Sequence, residues 1–263
     1  MSAPAEPLVP AHPHTPGAAP ALVRRVAPAC VAGLAILALW QGVVWVAAPP
    51  AFILPGPLAV VRALAGNARL IAGHGLATLW EVLAGLVLGA GLGAATAVGL
   101  AFSRRARVLA MPLLVLSQAV PVFALAPLLT LWFGYGMLPK VAMAVLIVYF
   151  PVASAFLDGL LRTDPGWLDL ARTMRARPGR VMWHLRIPAA LPSLASGLRL
   201  AAVYAPIGAV IGEWVGASRG LGYLMLLANG RARIDLMFAA LFVLVVLTLA
   251  TRLAVGLLCR RLD

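Results

Sequence analysis

The side chains able to do proton-transfer, nucleophilic or metal chemistry are few in this chain: eight acidic residues, four histidines and two cysteines in 263 residues. Their spacing excludes the common enzyme constellations. There is no His-Glu-x-x-His pair for zinc and no Gly-x-Ser-x-Gly nucleophile turn. Cys30 and Cys259 stand in apolar runs at opposite ends of the chain, which suits neither a disulfide nor a metal site. His12 and His14 fall in a Pro- and Ala-rich start, leaving only His74 and His184 beyond it. The glycine-rich Gly216-Ala-Ser-Arg-Gly-Leu-Gly-Tyr223 follows no strand and lacks Gly-Lys-Ser, so it is not a phosphate loop. No catalytic residue, bound metal or cofactor is expected.

What remains are ionisable groups inside apolar stretches, namely Glu81, Arg199 and Glu213. A charge in hydrocarbon is costly unless it is protonated, paired or wet, so such groups mark either a solute pathway or a polar contact between helices. Arg199 and Glu213 are fourteen positions apart, about 21 Å along a straight helix, and therefore need separate partners. Gln118, Pro121 and Tyr204 join Arg199 and Glu213 as pathway candidates. Proline in a span frees carbonyls that only protein or a wet cavity can satisfy, although a kink serving packing alone gives the same pattern. For Glu81 the simpler expectation is a hydrogen bond to a neighbouring helix near the end of its span.

A second polar feature is the basic island Asp164 to Pro188, between two long apolar segments. Asp164 is placed to cap a helix with Pro165 at its first position, Asp169 lies in the early turns, and Arg172, Arg175 and Arg177 gather towards the end, as the helix dipole prefers. Pro178 suits the start of a second short helix, with Ile187-Pro188 as its stop. A helix-turn-helix this polar is a docking surface candidate.

The elements that must position these groups are membrane helices. The chain is 63% hydrophobic and 11% charged, with a mean hydropathy of +0.99, far from the usual soluble balance. Six stretches reach the roughly 20 apolar residues a span needs: 28–48, 76–102, 108–133, 138–161, 189–215 and 236–258. The expected fold is an all-α integral membrane protein of six transmembrane helices, with the island between spans four and five. Residues 1–23 are expected to be a disordered tail and residues 24–263 a single membrane domain, its first span uncleaved rather than a removed signal. The net charge of +13 is explained by orientation, not by nucleic acid. Thirteen basic residues fall with the N-tail, the 103–107 loop, the island and the C-tail, against six on the other side, which places the island and both termini in the cytoplasm. Span two carries Ala77, Gly85, Gly89, Gly93, Ala97 and Ala101 four apart, a smooth row for close helix packing with Glu81 in the same row. At the end of span four, Asp158 and Arg162 are spaced for an i, i+4 pair.

At the island, Asp169-Leu-Ala-Arg-Thr-Met-Arg-Ala176 with Ile187-Pro188 resembles the cytoplasmic Glu-Ala-Ala loop of the membrane subunits of bacterial ATP-binding-cassette importers. Asp169 takes the glutamate position, Leu170 and Ala171 the alanines, Arg175 the glycine and Ala176 the second alanine. Leu170 and Arg175 depart from that pattern. Phe52-Ile-Leu-Pro-Gly-Pro57, Ala126-Pro-Leu-Leu-Thr-Leu-Trp-Phe-Gly-Tyr-Gly136 and Gly220-Leu-Gly-Tyr223 resemble the branch importing nitrate, sulfonates, taurine and thiamine precursors. Within it, Ala205 to Met225 with Asp235-Leu-Met-Phe-Ala-Ala240 is most similar to permeases for the hydroxymethylpyrimidine precursor of thiamine. The resemblance implies a multi-pass protein of the bacterial inner membrane, forming a pore as a homodimer. Cytoplasmic ATPase subunits, which hold the ATP and Mg, would dock on the coupling helix through Asp164, Pro165, Leu168, Asp169, Ala171, Arg172, Arg175 and Ala176, and a periplasmic binding protein would deliver solute. The rival expectation is a proton-coupled secondary transporter working through Glu81, Glu213 and Arg199.

Overall fold

The computed structural model describes the backbone of residues 18–261 and the side chains of residues 31–261. All regular structure among the described residues is helical. The described residues up to Pro50 form a unit of their own, built on α1 (Ala18–Ala47). Most of the tail expected to be disordered, residues 1–17, lies outside the described residues, and α1 starts at Ala18.

The second unit starts at Ala51. Its first helix, α2 (Pro57–Gly66), has proline in its first turn, where the missing N–H would be unpaired anyway, and at 10 residues it is too short to cross a bilayer. After Asn67 comes α3 (Ala68–Phe102), 35 residues long, about 52 Å at 1.5 Å per residue. It stops at Ser103, whose hydroxyl accepts from the Ala106 N–H at 3.2 Å and so caps α4 (Arg104–Ala119).

The expected third span is not one straight helix. α4 and α5 (Val122–Phe133) meet at 94°. The cause is local: Pro121 offers no N–H to continue α4, and it holds the preceding Val120 extended, at φ −79° and ψ 121°. Pro112 and Pro127, inside α4 and α5, do not interrupt them.

Next come α6 (Leu138–Leu161), α7 (Pro165–Thr173) and the single turn α8 (Pro178–Val181). Here a second expectation fails, because Ile187-Pro188 does not end the helix that Pro178 starts. A π turn over Met182–Arg186 carries it straight into α9 (Ile187–Trp214), with the Ile187 N–H donating to the Met182 carbonyl. The extra residue in that turn makes room for the Pro188 ring, a standard way for a helix to accommodate an interruption. α10 (Leu221–Gly230) and α11 (Ile234–Cys259) complete the fold. Among the described residues four helical segments are long and apolar enough to span, α3, α6, Pro178–Trp214 and α11, or five if the bent pair α4–α5 counts as one.

α6 is the centre of this unit, with α3 along one side and α9 along another. Gly85 of α3 faces Ala144, Gly89 faces Val148, and Gly93 faces Val152 and the backbone of Tyr149 and Ala153. Each four-residue step along α3 meets a four-residue step along α6 in the same sense, so the two run parallel. On α9, Gly197 meets Val152 and Ala155, Gly208 meets Ala144 and Gly212 meets Lys140, which makes α6 and α9 antiparallel. Val82, Val148, Val152, Ala201, Ala205 and Ala209 are fully buried where the three helices meet. With small residues at every crossing, attraction comes from many short dispersion contacts between backbones, the mode that works in lipid.

Candidate functional site

The basic island folds as a capped hairpin. The Asp164 carboxylate accepts from the Gly166 N–H at 2.6 Å, and Pro165 opens α7. At the other end Arg175 adopts φ +51°. Its N–H reaches the Arg172 carbonyl at 2.9 Å, and the Ala176 N–H reaches the Ala171 carbonyl at 2.9 Å. These two bonds, with a left-handed residue between the helix end and Ala176, are a Schellman closure. Arg175 thus makes the turn that the family pattern assigns to glycine, at a backbone cost of about 1–2 kcal/mol.

α7 has two faces. Leu168 and Arg172 share a cleft of about 220 Å³ with Ala101 and Phe102 at the end of α3 and with Ala176 and Met182, and Ala171 is 6% exposed. Trp167, Leu170 and Met174 stand 54%, 61% and 73% exposed, lining a groove of about 960 Å³ with Arg180 and His184. Spaced three and four apart, they form one apolar ridge. Ala171, Arg175 and Ala176 of the expected docking set line this same groove; the ridge of Trp167, Leu170 and Met174 was not among the expected docking residues, though the helical period itself marks it. Arg172 bonds Asp169 on its own helix at 2.6 Å, both side chains exposed.

A second feature is a cavity of about 620 Å³ between the α4–α5 bend, α6 and α9, lined among others by Gln118, Phe150, Ser154, Asp158, Leu200 and Tyr204. Two pathway candidates, Gln118 and Tyr204, come together here. Pro121 contributes through the bend that brings Val122 to the wall. Arg199 is half-buried beside Leu200 and is not among the lining residues. Asp158 does not pair with Arg162 as its spacing suggests. Arg162 is the residue at which α6 leaves helical geometry, at φ −87° and ψ 8°, and the Asp158 carboxylate has no ion-pair partner among the described residues.

Glu213 lies elsewhere, in a polar cluster at the end of α6 remote from the island. It is 1% exposed. One oxygen accepts from the Thr78 hydroxyl at 2.6 Å and the other from the Gly222 N–H at 2.5 Å. The Leu221 N–H donates to the Thr78 oxygen at 2.8 Å, so a carboxylate and a hydroxyl satisfy the first turn of α10, where negative charge is favoured. Gly220, at φ +121°, has no room for a Cβ, which would collide with the Glu213 carboxylate. Its N–H donates to His74 Nδ1 at 3.1 Å, and the His74 ring packs against Tyr223 with centroids 5.8 Å apart. Beside it, Lys140 Nζ lies 2.7 Å from Glu81 Oε1 and 3.3 Å from the Arg219 carbonyl. Glu81 therefore does bond a neighbouring helix. Its partner Lys140 is one of the six basic residues counted on the other side, and 140, 144, 148 and 152 are the four-step row opposite 81, 85, 89 and 93.

Residues 85–263 match the family model described as the binding-protein-dependent transport system inner membrane component. The chain is 49% identical over 239 residues, covering 91% of it and 97% of the relative, to a probable ABC transporter permease protein of Haemophilus influenzae. It is 38% identical over 191 residues, covering 72% of it and 76% of the relative, to the formylaminopyrimidine transport permease protein ThiX of Halalkalibacterium halodurans. Among solved structures, a chain of the inward-facing MetNI methionine ABC transporter superposes with a TM-score of 0.59 at 20% identity, covering 70% of this chain and 94% of that one. An amino acid ABC transporter chain gives 0.62 at 17%, covering 75% and 96%. Sequence family, relatives and fold agree: the chain belongs to the binding-protein-dependent transport system inner membrane components, the permease subunits of ABC transporters.

Proposed function

We propose that this permease is the pore-forming subunit of an ATP-driven importer, working as a homodimer in the inner membrane with both termini cytoplasmic. Six spans would be supplied by α1, α3, the bent pair α4–α5, α6, the helix 178–214 and α11. Two ATPase subunits, which carry the nucleotide and Mg, dock on α7 from the cytoplasm, and a periplasmic binding protein delivers the solute. The observation that carries this reading is the α7 hairpin, capped at Asp164, closed at Arg175 and presenting Trp167, Leu170 and Met174 to solvent. A lever that transmits force from a partner needs a rigid, pre-folded surface with an apolar anchor. Ala171 is buried, so the docking test belongs on the ridge.

The solute we assign is a hydroxymethylpyrimidine-type thiamine precursor. Supporting it are the resemblance of residues 205–240 and the 38% identity to a relative named for formylaminopyrimidine. Relatives named for riboflavin and for aliphatic sulfonates are 35% and 31% identical. Two measurements test the proposal. Uptake into proteoliposomes holding the complete importer is expected to require ATP and to ignore an uncoupler, whereas uncoupler sensitivity would favour a proton-driven carrier using Glu81, Glu213 and Arg199. The ligand that co-purifies with the cognate binding protein is expected to be a pyrimidine; a sulfonate or nitrate there overturns the substrate assignment.

A further inference from the structure

Asp158 is exposed on α6 and its side chain makes no contact that holds the fold together. It sits in the last turn of α6, where a negative charge opposes the helix dipole, and that turn holds no basic residue to offset it. It has no ion-pair partner among the described residues, and its carboxylate lines the 620 Å³ cavity, whose lining contains no Lys, Arg or His. Ile147, Phe150, Ser154 and Asp158 recur three and four apart on one face of α6. From Ile147 to Asp158 that wall is about 16 Å long. Because α9 runs antiparallel, Tyr204 lies level with Ile147 and Phe150, and Leu200 nearer the carboxylate. The cavity therefore has an aromatic end, with Gln118 on the opposing wall, and an acidic end next to the island. Its volume falls within the range of small-molecule sites.

We infer that this cavity is a selective site for amino-substituted heteroaromatic solutes, in which Asp158 accepts their N–H hydrogen bonds and turns anions away. An aminopyrimidine offers an exocyclic NH₂ beside a ring nitrogen. Once that nitrogen is protonated, the two N–H groups match a carboxylate in bidentate fashion. Phe150 and Tyr204, about 12 Å further along the wall, offer flat faces to such a ring on its way to or from Asp158, whereas a sulfonate or nitrate would meet an unpaired negative charge with no cation among the lining residues to receive it. This rests on the importer reading and names the residue that makes it selective.

The test uses the complete importer reconstituted in liposomes, with Cys30 and Cys259 replaced by alanine and Ser154→Cys as reporter, one helical turn from Asp158. A unit charge roughly 6 Å away in a water-like dielectric biases cation and anion in opposite senses, together about tenfold. With each rate taken relative to that reagent's rate with a small free thiol, the cationic MTSET is expected to be favoured about tenfold over the anionic MTSES at this site, and Asp158→Asn to abolish that preference. In the otherwise wild-type importer, Asp158→Asn is expected to lower aminopyrimidine uptake at least tenfold, while Asp158→Glu retains it. A thiol that reacts with neither reagent, or with both at one relative rate, overturns the site even if aminopyrimidine uptake is intact. Taurine uptake in place of aminopyrimidine overturns the importer's substrate assignment and the anion barrier together.

Discussion

Gly93 and Gly91 lie two residues apart on α3 and face different surroundings, so the same substitution should act on them in opposite senses. A Cβ added to Gly93 would stand 2.8 Å from the Tyr149 carbonyl, 3.1 Å from the Ala153 nitrogen and 3.2 Å from Val152 Cβ, whereas nothing lies within 4 Å of one added to Gly91. Two of the three obstacles at Gly93 are backbone atoms, which cannot rotate away. α6 must retreat by roughly half an ångström, and a gap of that order forfeits about a quarter of the local dispersion energy. Overpacking of this kind costs about 1–3 kcal/mol. Both Gly93→Ala and Gly91→Ala gain the same helix propensity, up to about 1 kcal/mol, so the difference between them isolates the packing. We expect Gly91→Ala to be neutral or stabilising and Gly93→Ala to be about 1–3 kcal/mol less stable than Gly91→Ala in denaturant titrations of the detergent-solubilised protein. Gly89→Ala provides a cross-check. Its nearest obstacles are the Val148 side chain at 2.7 and 2.9 Å, so Val148→Ala should partly rescue it. Equal shifts at 91 and 93 would refute the parallel packing of α3 on α6.

Four further outcomes are expected. Lys140→Met strands the buried Glu81 and should destabilise by about 3–5 kcal/mol, most of it recovered when Glu81→Leu is added; no recovery in unfolding titrations would show that the pair matters for something other than charge balance. Glu213→Ala leaves the Gly222 N–H without its acceptor, about 1–3 kcal/mol for a buried group, and the Thr78 hydroxyl with only the His74 carbonyl at 3.3 Å, and should raise hydrogen exchange at the start of α10; unchanged exchange there would refute the capping role. Arg175→Gly removes the left-handed penalty but loosens the unfolded chain, for a net local gain of about 0.5–1 kcal/mol, seen as two- to fivefold slower exchange of the Ala176 amide; faster exchange would contradict the turn geometry. Leu170→Glu with Met174→Glu should leave membrane insertion intact and abolish co-purification of the ATPase, while normal co-purification would sink the docking ridge.

Much of the fold was legible because its signals are local. Apolar length placed α3, α6 and α11, and the four-residue row of small side chains pointed to a close helix contact before any partner was known. Asp164-Pro165 announced the start of α7, since capping is chemistry within one turn. Two proline signals were read too simply. Pro121 bends its span by 94°, while Pro188 is absorbed by a π turn, and which of these happens depends on neighbours that sequence spacing does not encode. The polar cluster was hidden for a related reason. Thr78, Lys140, Glu213 and Gly222 come from four separate helices, and only the parallel register of α3 and α6 puts Lys140 beside Glu81. Glu213 looked like a pathway group because a buried carboxylate and a wet one are alike in a sequence. Asp158 has the spacing of half a surface pair, but i, i+4 neighbours meet only while the helix lasts, and α6 ends before Arg162.

The shared register of α3, α6 and α9 also bears on how such a chain can vary through time. One residue inserted between Gly85 and Gly93 would turn everything beyond it by about 100° about the helix axis. The glycines past that point that face α6 would then leave it together, and bulky neighbours such as Leu88 and Leu92 would take their places. A point substitution harms one crossing, but a length change harms all of them. Homologous permeases should therefore differ in length between their helices, and keep the segments 81–93, 140–159 and 193–212 free of insertions and deletions.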